Sequence, residues 1–284
     1  MEYESELFNM RKSAVLTIGM SDSGGNSGVQ ADWRAFQSFG VHACTAVTAI
    51  AAQNVFGAQS VAPVEPELIG AQLDAVIEPY GVMAIKTGML PSEPAIDLVA
   101  DRLGLVGRIA KIIDPELIAP DGIPRLSETA LSAFRTRILP LAFLATPNLS
   151  EAELLDGSAC DSERDMPTLA RRLADRFSCA VLLKGGQNLD HPADDFLCDG
   201  ESVYRVSTPA VDSPVSVTGA GGLLSAAIAA AAACGRPLLD AVAEAKAYVY
   251  EALRTAIRVG EAGAVTGSPA PCPADTVRIE TINE

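Results

Sequence analysis

The stretch of this chain best suited to chemistry is Thr218-Gly219-Ala220-Gly221-Gly222-Leu223-Leu224-Ser225. Its glycines allow a tight turn and the close approach of a charged group. Behind them, 223–234 is rich in helix formers, and Gly235 with Pro237 stops the run. A glycine turn opening a helix leaves unpaired N–H groups at the positive end of the helix dipole, which suits a phosphate. The same residues also suit a tight turn before a buried helix. The stretch alone leaves these two readings level.

Other polar residues recur just after short apolar runs. The run 14–18 reads as a strand and leads into the polar, glycine-rich 21–28, then an amphipathic helix over 29–39. A second strand over 41–50 ends in Gln53-Asn54, and 66–76 reads as a helix. Strands over 82–85, 109–113, 143–146 and 181–183 lead into Lys86-Thr87-Gly88-Met89-Leu90, Asp114-Pro115, Pro147-Asn148 and Lys184-Gly185-Gly186 respectively. Between them, 93–103 reads as a helix and 196–206 as a small antiparallel hairpin. Strands alternating with amphipathic helices predict an α/β fold with a mostly parallel sheet covered on both faces. The polar residues then share the C-terminal edge of the sheet, where ligands bind in such folds. One domain over 14–259 is expected, with an N-terminal extension (1–13) and a tail from Gly260. The Gly, Pro and Ala content of that tail predicts partial disorder.

Composition narrows the function classes. With 21 basic and 36 acidic residues, the net charge of −15 argues against nucleic acid or an anionic membrane as the main partner. Backbone amides, a lysine and a divalent cation can still hold a phosphate locally. Six scattered cysteines without a CxxC pair indicate neither a disulfide framework nor a zinc site, and a cytoplasmic location is expected. The first twelve residues are unlike a signal peptide, and the longest apolar run is too short for a bilayer. There is no GxxxxGK[ST] loop, and no GxGxxG after the first strand. Two histidines, His42 and His191, make a Ser–His–Asp triad or a multi-histidine metal site a poor fit.

Taken together, the blocks resemble the hydroxymethylpyrimidine/phosphomethylpyrimidine kinases of the ribokinase-like superfamily. The likeness runs through Gly19-Met20-Ser21-Asp22, Gly28-Val29-Gln30-Ala31-Asp32, 48–54, 86–90, Asp114-Pro115, 146–153, 184–186 and 219–228, in the family's order. It implies a three-layer α/β/α fold and ATP-dependent phosphorylation of a pyrimidine hydroxymethyl group in thiamin biosynthesis. By position, Gly19, Met20, Asp32, Gln53 and Met89 would bind the substrate, with Asp32 and Gln53 reading the aminopyrimidine. Lys184, Asn148 and Thr218 would bind ATP. Glu151, joined by Asp114 through water, would help hold hydrated Mg²⁺. Gly219, Ala220 and Gly221 would form the anion hole. A homodimer is also implied.

The departures from the family cluster at the same site. Gly222 stands where the family has a cysteine, and most ribokinase relatives an aspartate, as the base for the attacking hydroxyl. The segment 213–218 is one residue longer than the family's and lacks its Asn and His, Met20 replaces a small glycine, and Pro120-Asp121-Gly122 replaces Lys-Ser-Gly. A positioned base contributes about 10²–10⁴-fold, or roughly 3–5 kcal/mol. Positioning and electrostatics would survive its loss. The expectation is therefore a kinase, slowed by the missing base. The alternatives are a non-catalytic pyrimidine- or nucleotide-binding descendant and, within the enzymes, a pyridoxal kinase.

Overall fold

The computed structural model describes residues 12–119, 122–160, 162–186, 191, 193–211, 219–260 and 263–282. Its first strand, β1 (Ala14–Asp22), is buried along almost its whole length, as a strand must be when helices cover both faces of its sheet. On one side β1 pairs in parallel with β2 (His42–Asn54), which turns back into the antiparallel edge strand β3 (Gly57–Pro63). On the other side parallel pairing continues through β4 (Val82–Thr87), β5 (Ala110–Ile113), β6 (Leu144–Ala145) and β7 (Ala180–Leu183). Beyond β7 the pairing is antiparallel through β8 (Asp194–Cys198) and β9 (Val203–Ser207). A separate short hairpin joins β10 (Ile257–Val259) to β11 (Gly263–Val265). The last strand, β12 (Arg278–Ile282), returns to pair with β9 and forms that edge.

The helices are α1 (Gly28–Ser38), α2 (Pro66–Val76), α3 (Glu93–Leu105), α4 (Glu128–Ala133), α5 (Leu149–Asp156), α6 (Met166–Phe177), α7 (Ala220–Ala233) and α8 (Leu238–Arg254). They divide into two layers, as the apolar clusters show. Ala14, Leu16 and Ile18 of β1 face α2 to α6, whereas Val15 faces α1, α7 and α8. This is the expected three-layer α/β/α arrangement around a mostly parallel sheet. Most of α7 is buried, and six of its buried residues are alanines. Short side chains let it lie across β4 and β5 and bring its N-terminus to the strand tips.

Between β1 and β2 the register slips at Gly19/Met20, so Thr48 has no partner on β1. Burial along β2 changes phase at the same place. Cys44, Ala46 and Thr48 are buried before the slip, and Ala49 and Ala51 after it. This is the action of a β-bulge. Thr48 is anchored there, its Oγ1 donating to the Met89 carbonyl at 2.7 Å.

Several sequence boundaries move. β1 runs on through Asp22 and β2 through Asn54, because ladder pairing continues into residues whose polarity reads as loop. The tail composition hides β12, which the antiparallel ladder on β9 organises. Thr218, Asp212 and the 213–217 segment lie outside the described residues, as do Pro120 and Asp121.

Candidate active site

At the tip of β1, Asp22 gathers a loop around its carboxylate. It accepts from the backbone N–H groups of Gly24 (2.8 Å), Asn26 (3.0 Å) and Ser27 (2.9 Å), from Ser27 Oγ (2.9 Å), and from Gln53 Nε2 (3.2 Å). Gln53 Nε2 also donates to Ser27 Oγ at 3.0 Å. The expected pyrimidine reader at the end of β2 is therefore held by its amide nitrogen against this loop. The loop in turn meets the start of α7. Gly219 has φ +91°, and a Cβ there would collide with the Asn26 carbonyl. Only glycine fits both the conformation and the space.

From Gly219 the chain enters α7, whose N-cap makes no side-chain hydrogen bond. Its first turn presents backbone N–H groups at the positive end of the dipole. Lys184, at the tip of β7, lies beside that turn. A Cβ on Gly221 would stand 3.3 Å from Lys184 Nζ. The ammonium donates to Asp114 Oδ1 at 2.8 Å, and Ser225 Oγ of α7 donates to Asp114 Oδ2 at 2.8 Å. Asn148 caps α5 in a reciprocal capping box with Glu151. Glu151 Oε2 accepts from Asn148 N–H (3.0 Å) and Oε1 from Leu117 N–H (2.9 Å). The anion-hole glycines, Lys184, Asn148, Asp114 and Glu151 are thus brought together by the tips of β5, β6 and β7 and the starts of α5 and α7.

Asp32 is placed differently from the expectation. It is buried on α1, 1% exposed, and its Oδ2 accepts from Thr17 Oγ1 (2.5 Å) and Lys86 Nζ (2.9 Å). An isolated carboxylate could not sit so deep, and Lys86 on β4 is its counter-charge. Lys86 Nζ also lies 3.7 Å from Glu116 Oε1, so Asp32 bears on the crevice through Lys86. Gly19 packs against Gly88, whose N–H donates to the Ile18 carbonyl at 2.7 Å. Met20 and Met89 are buried together with Ala49 and Ala51 in a small apolar cluster at the tips of β1 and β2.

Two lysines thus stand among four carboxylates. Burial pushes Glu151 up to about 7, and Asp114 and Glu116 add to the rise while Lys184 and the Asn148 amide oppose it. Glu116 and Asp32 are likewise raised, by burial first, against the pull of Lys86. Burial would lower Lys86 and Lys184. Asp32 and Glu116 outweigh that for Lys86, and Asp114 and Glu151 outweigh it for Lys184, so both are held above the usual lysine range. Both ammoniums stay charged, Lys184 beside the first turn of α7 and Lys86 buried against Asp32.

The acidic groups do not build a direct metal shell. Both oxygens of Asp114 and of Glu151 already accept hydrogen bonds, and no group of three or more potential ligand side chains converges among the described residues. Beside Lys184 and Gly221 opens a cavity of about 310 Å³, walled by Pro209, Val211, Leu224 and Val249. At its polar end Lys246 pairs with Asp195, which also takes the Gly185 N–H at 2.8 Å.

Lys86, Glu116 and the Asp195–Lys246 pair carry no role in the sequence reading. A lysine inside an apolar strand and an acid three residues beyond the end of a strand are the signals that could have found the first two.

The model of the phosphomethylpyrimidine kinase family matches residues 22–266. The chain belongs to this family. It is 39% identical over 246 residues to the hydroxymethylpyrimidine/phosphomethylpyrimidine kinase of Rhizobium meliloti, covering 86% of this chain and 92% of that one. It is 36% identical over 248 residues to the enzyme of that name from Escherichia coli, covering 87% and 93%. Among solved structures, phosphomethylpyrimidine kinase from Clostridium difficile superposes with a TM-score of 0.75 at 31% identity, covering 85% of this chain and all of that one. The ADP complex of Bacillus subtilis pyridoxal kinase gives 0.84 at 32% identity, covering 91% and 98%. Family members are kinases, and the fold is the ribokinase-like one the sequence implied. No helix among the described residues is long and apolar enough to cross a membrane.

Proposed function

We propose that this chain transfers the γ-phosphoryl group of ATP to the hydroxymethyl group of hydroxymethylpyrimidine, or to its monophosphate, as a step of thiamin biosynthesis. The observation that carries the reading is the meeting of Lys184 with the first turn of α7 beside Asp114, on the same sheet edge as the Met20–Met89 apolar cluster. In this reading the triphosphate lies along Lys184 toward Gly219, Ala220 and Gly221, and the base fills the apolar cavity. Lys184 and the α7 amides would then meet the charge that develops on the transferred group. Met20 and Met89 would pack on the pyrimidine face, and the Gln53 amide would read its edge. Asp32 would position Lys86. Mg²⁺ would arrive as the counter-ion of the triphosphate, facing Asp114 and Glu151 through its water shell. Asn148 would act by fixing the start of α5, and Thr218 would bind ATP.

Two further readings have support. The pyridoxal kinase superposition favours pyridoxal as an acceptor, and Gly222 favours a binding protein without turnover. Calorimetry with hydroxymethylpyrimidine, pyridoxal and ATP–Mg²⁺, followed by a turnover assay, separates the three. Phosphorylation of the pyrimidine with a KM well below that for pyridoxal is expected. Tight binding without product would sink the kinase reading. All six cysteines are free, which fits work in a reducing cytoplasm, and a homodimer is proposed on the grounds given in the Discussion.

A further inference from the structure

Gly222 leaves the attacking hydroxyl without the family's base, yet a carboxylate stands opposite. A Cβ on Gly222 would lie 4.0 Å from Glu116 Oε1 and 4.0 Å from Asp114 Oδ2. Asp114 is spoken for, its oxygens accepting from Lys184 and Ser225 at 2.8 Å each. Glu116 is less committed, with Lys86 Nζ at 3.7 Å and its side chain 24% exposed. Its backbone is also unusual. With φ +47° it is one of two non-glycine residues with positive φ among the described residues, a conformation that costs energy and tends to persist at working sites. That turn throws the side chain back over Gly88, where a Cβ would come within 2.9 Å of Oε1. Glycine at 88 makes room for the carboxylate, and glycine at 222 leaves the space in front of it open.

We infer that Glu116 is the proton acceptor of this enzyme, the base having moved from the first turn of α7 to the loop after β5. The inference rests on the kinase reading above. As the hydroxyl oxygen bonds to the γ-phosphorus of ATP, its O–H bond breaks and the proton passes to Glu116. The bond from the γ-phosphorus to the β,γ-bridging oxygen breaks, and ADP leaves with that electron pair. Lys86, held by Asp32, keeps the carboxylate aimed.

The test is a swap. Glu116→Gln should lower kcat by about 10²–10⁴-fold while calorimetric affinities for hydroxymethylpyrimidine and ATP–Mg²⁺ change less than about threefold. Glu116→Gly, which suits the positive φ, should fold at least as well and lose the same activity. Gly222→Asp added to Glu116→Gln should recover at least tenfold in kcat, whereas Gly222→Asp in the native chain should gain little. Native turnover retained in both Glu116 variants would overturn this inference and leave the kinase reading standing. A native chain that binds both ligands but makes no product would overturn both.

Discussion

Glu151 caps α5 and at the same time faces Asp114, Glu116 and Lys184. Its carboxyl therefore keeps a proton to about pH 7 in the fold, against an ordinary value of 4.5. The folded state holds that proton more tightly than the unfolded chain, so stability falls as pH rises from about 4.5 to about 7 and levels off above. The loss is on the order of 3 kcal/mol. Glu151→Gln keeps a capping side chain at this position and should flatten that slope relative to the native chain. Urea unfolding measured across this pH window checks it, and parallel curves would refute it. At this scale the sequence showed which residues stand after strands, but not their partners. Asp32 and Lys86 are 54 positions apart, and no local pattern tells a reader that one neutralises the other.

Helix α5 exists as a short element because both its ends are tied. Asn148 Oδ1 accepts the Glu151 N–H at 2.9 Å, and Gly157 closes the helix in a left-handed turn. Asn148→Ala should cost about 1 kcal/mol from the lost cap. It should also raise the KM for ATP several-fold, since the same turn sets Glu151 beside Lys184. Thermal melting and steady-state kinetics read the two effects separately, and a KM unchanged with a lowered Tm would reduce Asn148 to a structural cap. Elements with strong local punctuation were legible. Helix α2 has the boundaries the sequence predicted because Pro66 starts it. Strands β3 and β12 were missed, since their residues are almost all exposed and lack alternation. Pairing with β2 and β9 makes them strands, and that pairing is tertiary.

Across the molecule, the two edges of the sheet differ. The sheet ends on β12 at one side and on β3 at the other, and β3 has Phe56 (79% exposed), Ile50 and Val61 near it. Open edges flanked by apolar side chains invite a partner strand or surface. The proposed homodimer would use this face. Phe56→Glu with Val61→Glu should convert it to single chains by light scattering, with the fold retained by circular dichroism. A native chain already at one-chain mass would dispose of the dimer. The three-layer plan and the clustering of polar groups on one sheet edge were legible from the alternation of strand and helix. The slip in β2 was not, because Thr48 looks like any other strand threonine. That surplus residue keeps the outer half of β2 in step with the inner half. Were the ladder to run on without that slip, Thr48 would stand opposite Met20 and everything from Ala49 to Asn54 would change sides: Ile50 inward, Gln53 away from Asp22, the ligand end of the sheet inside out.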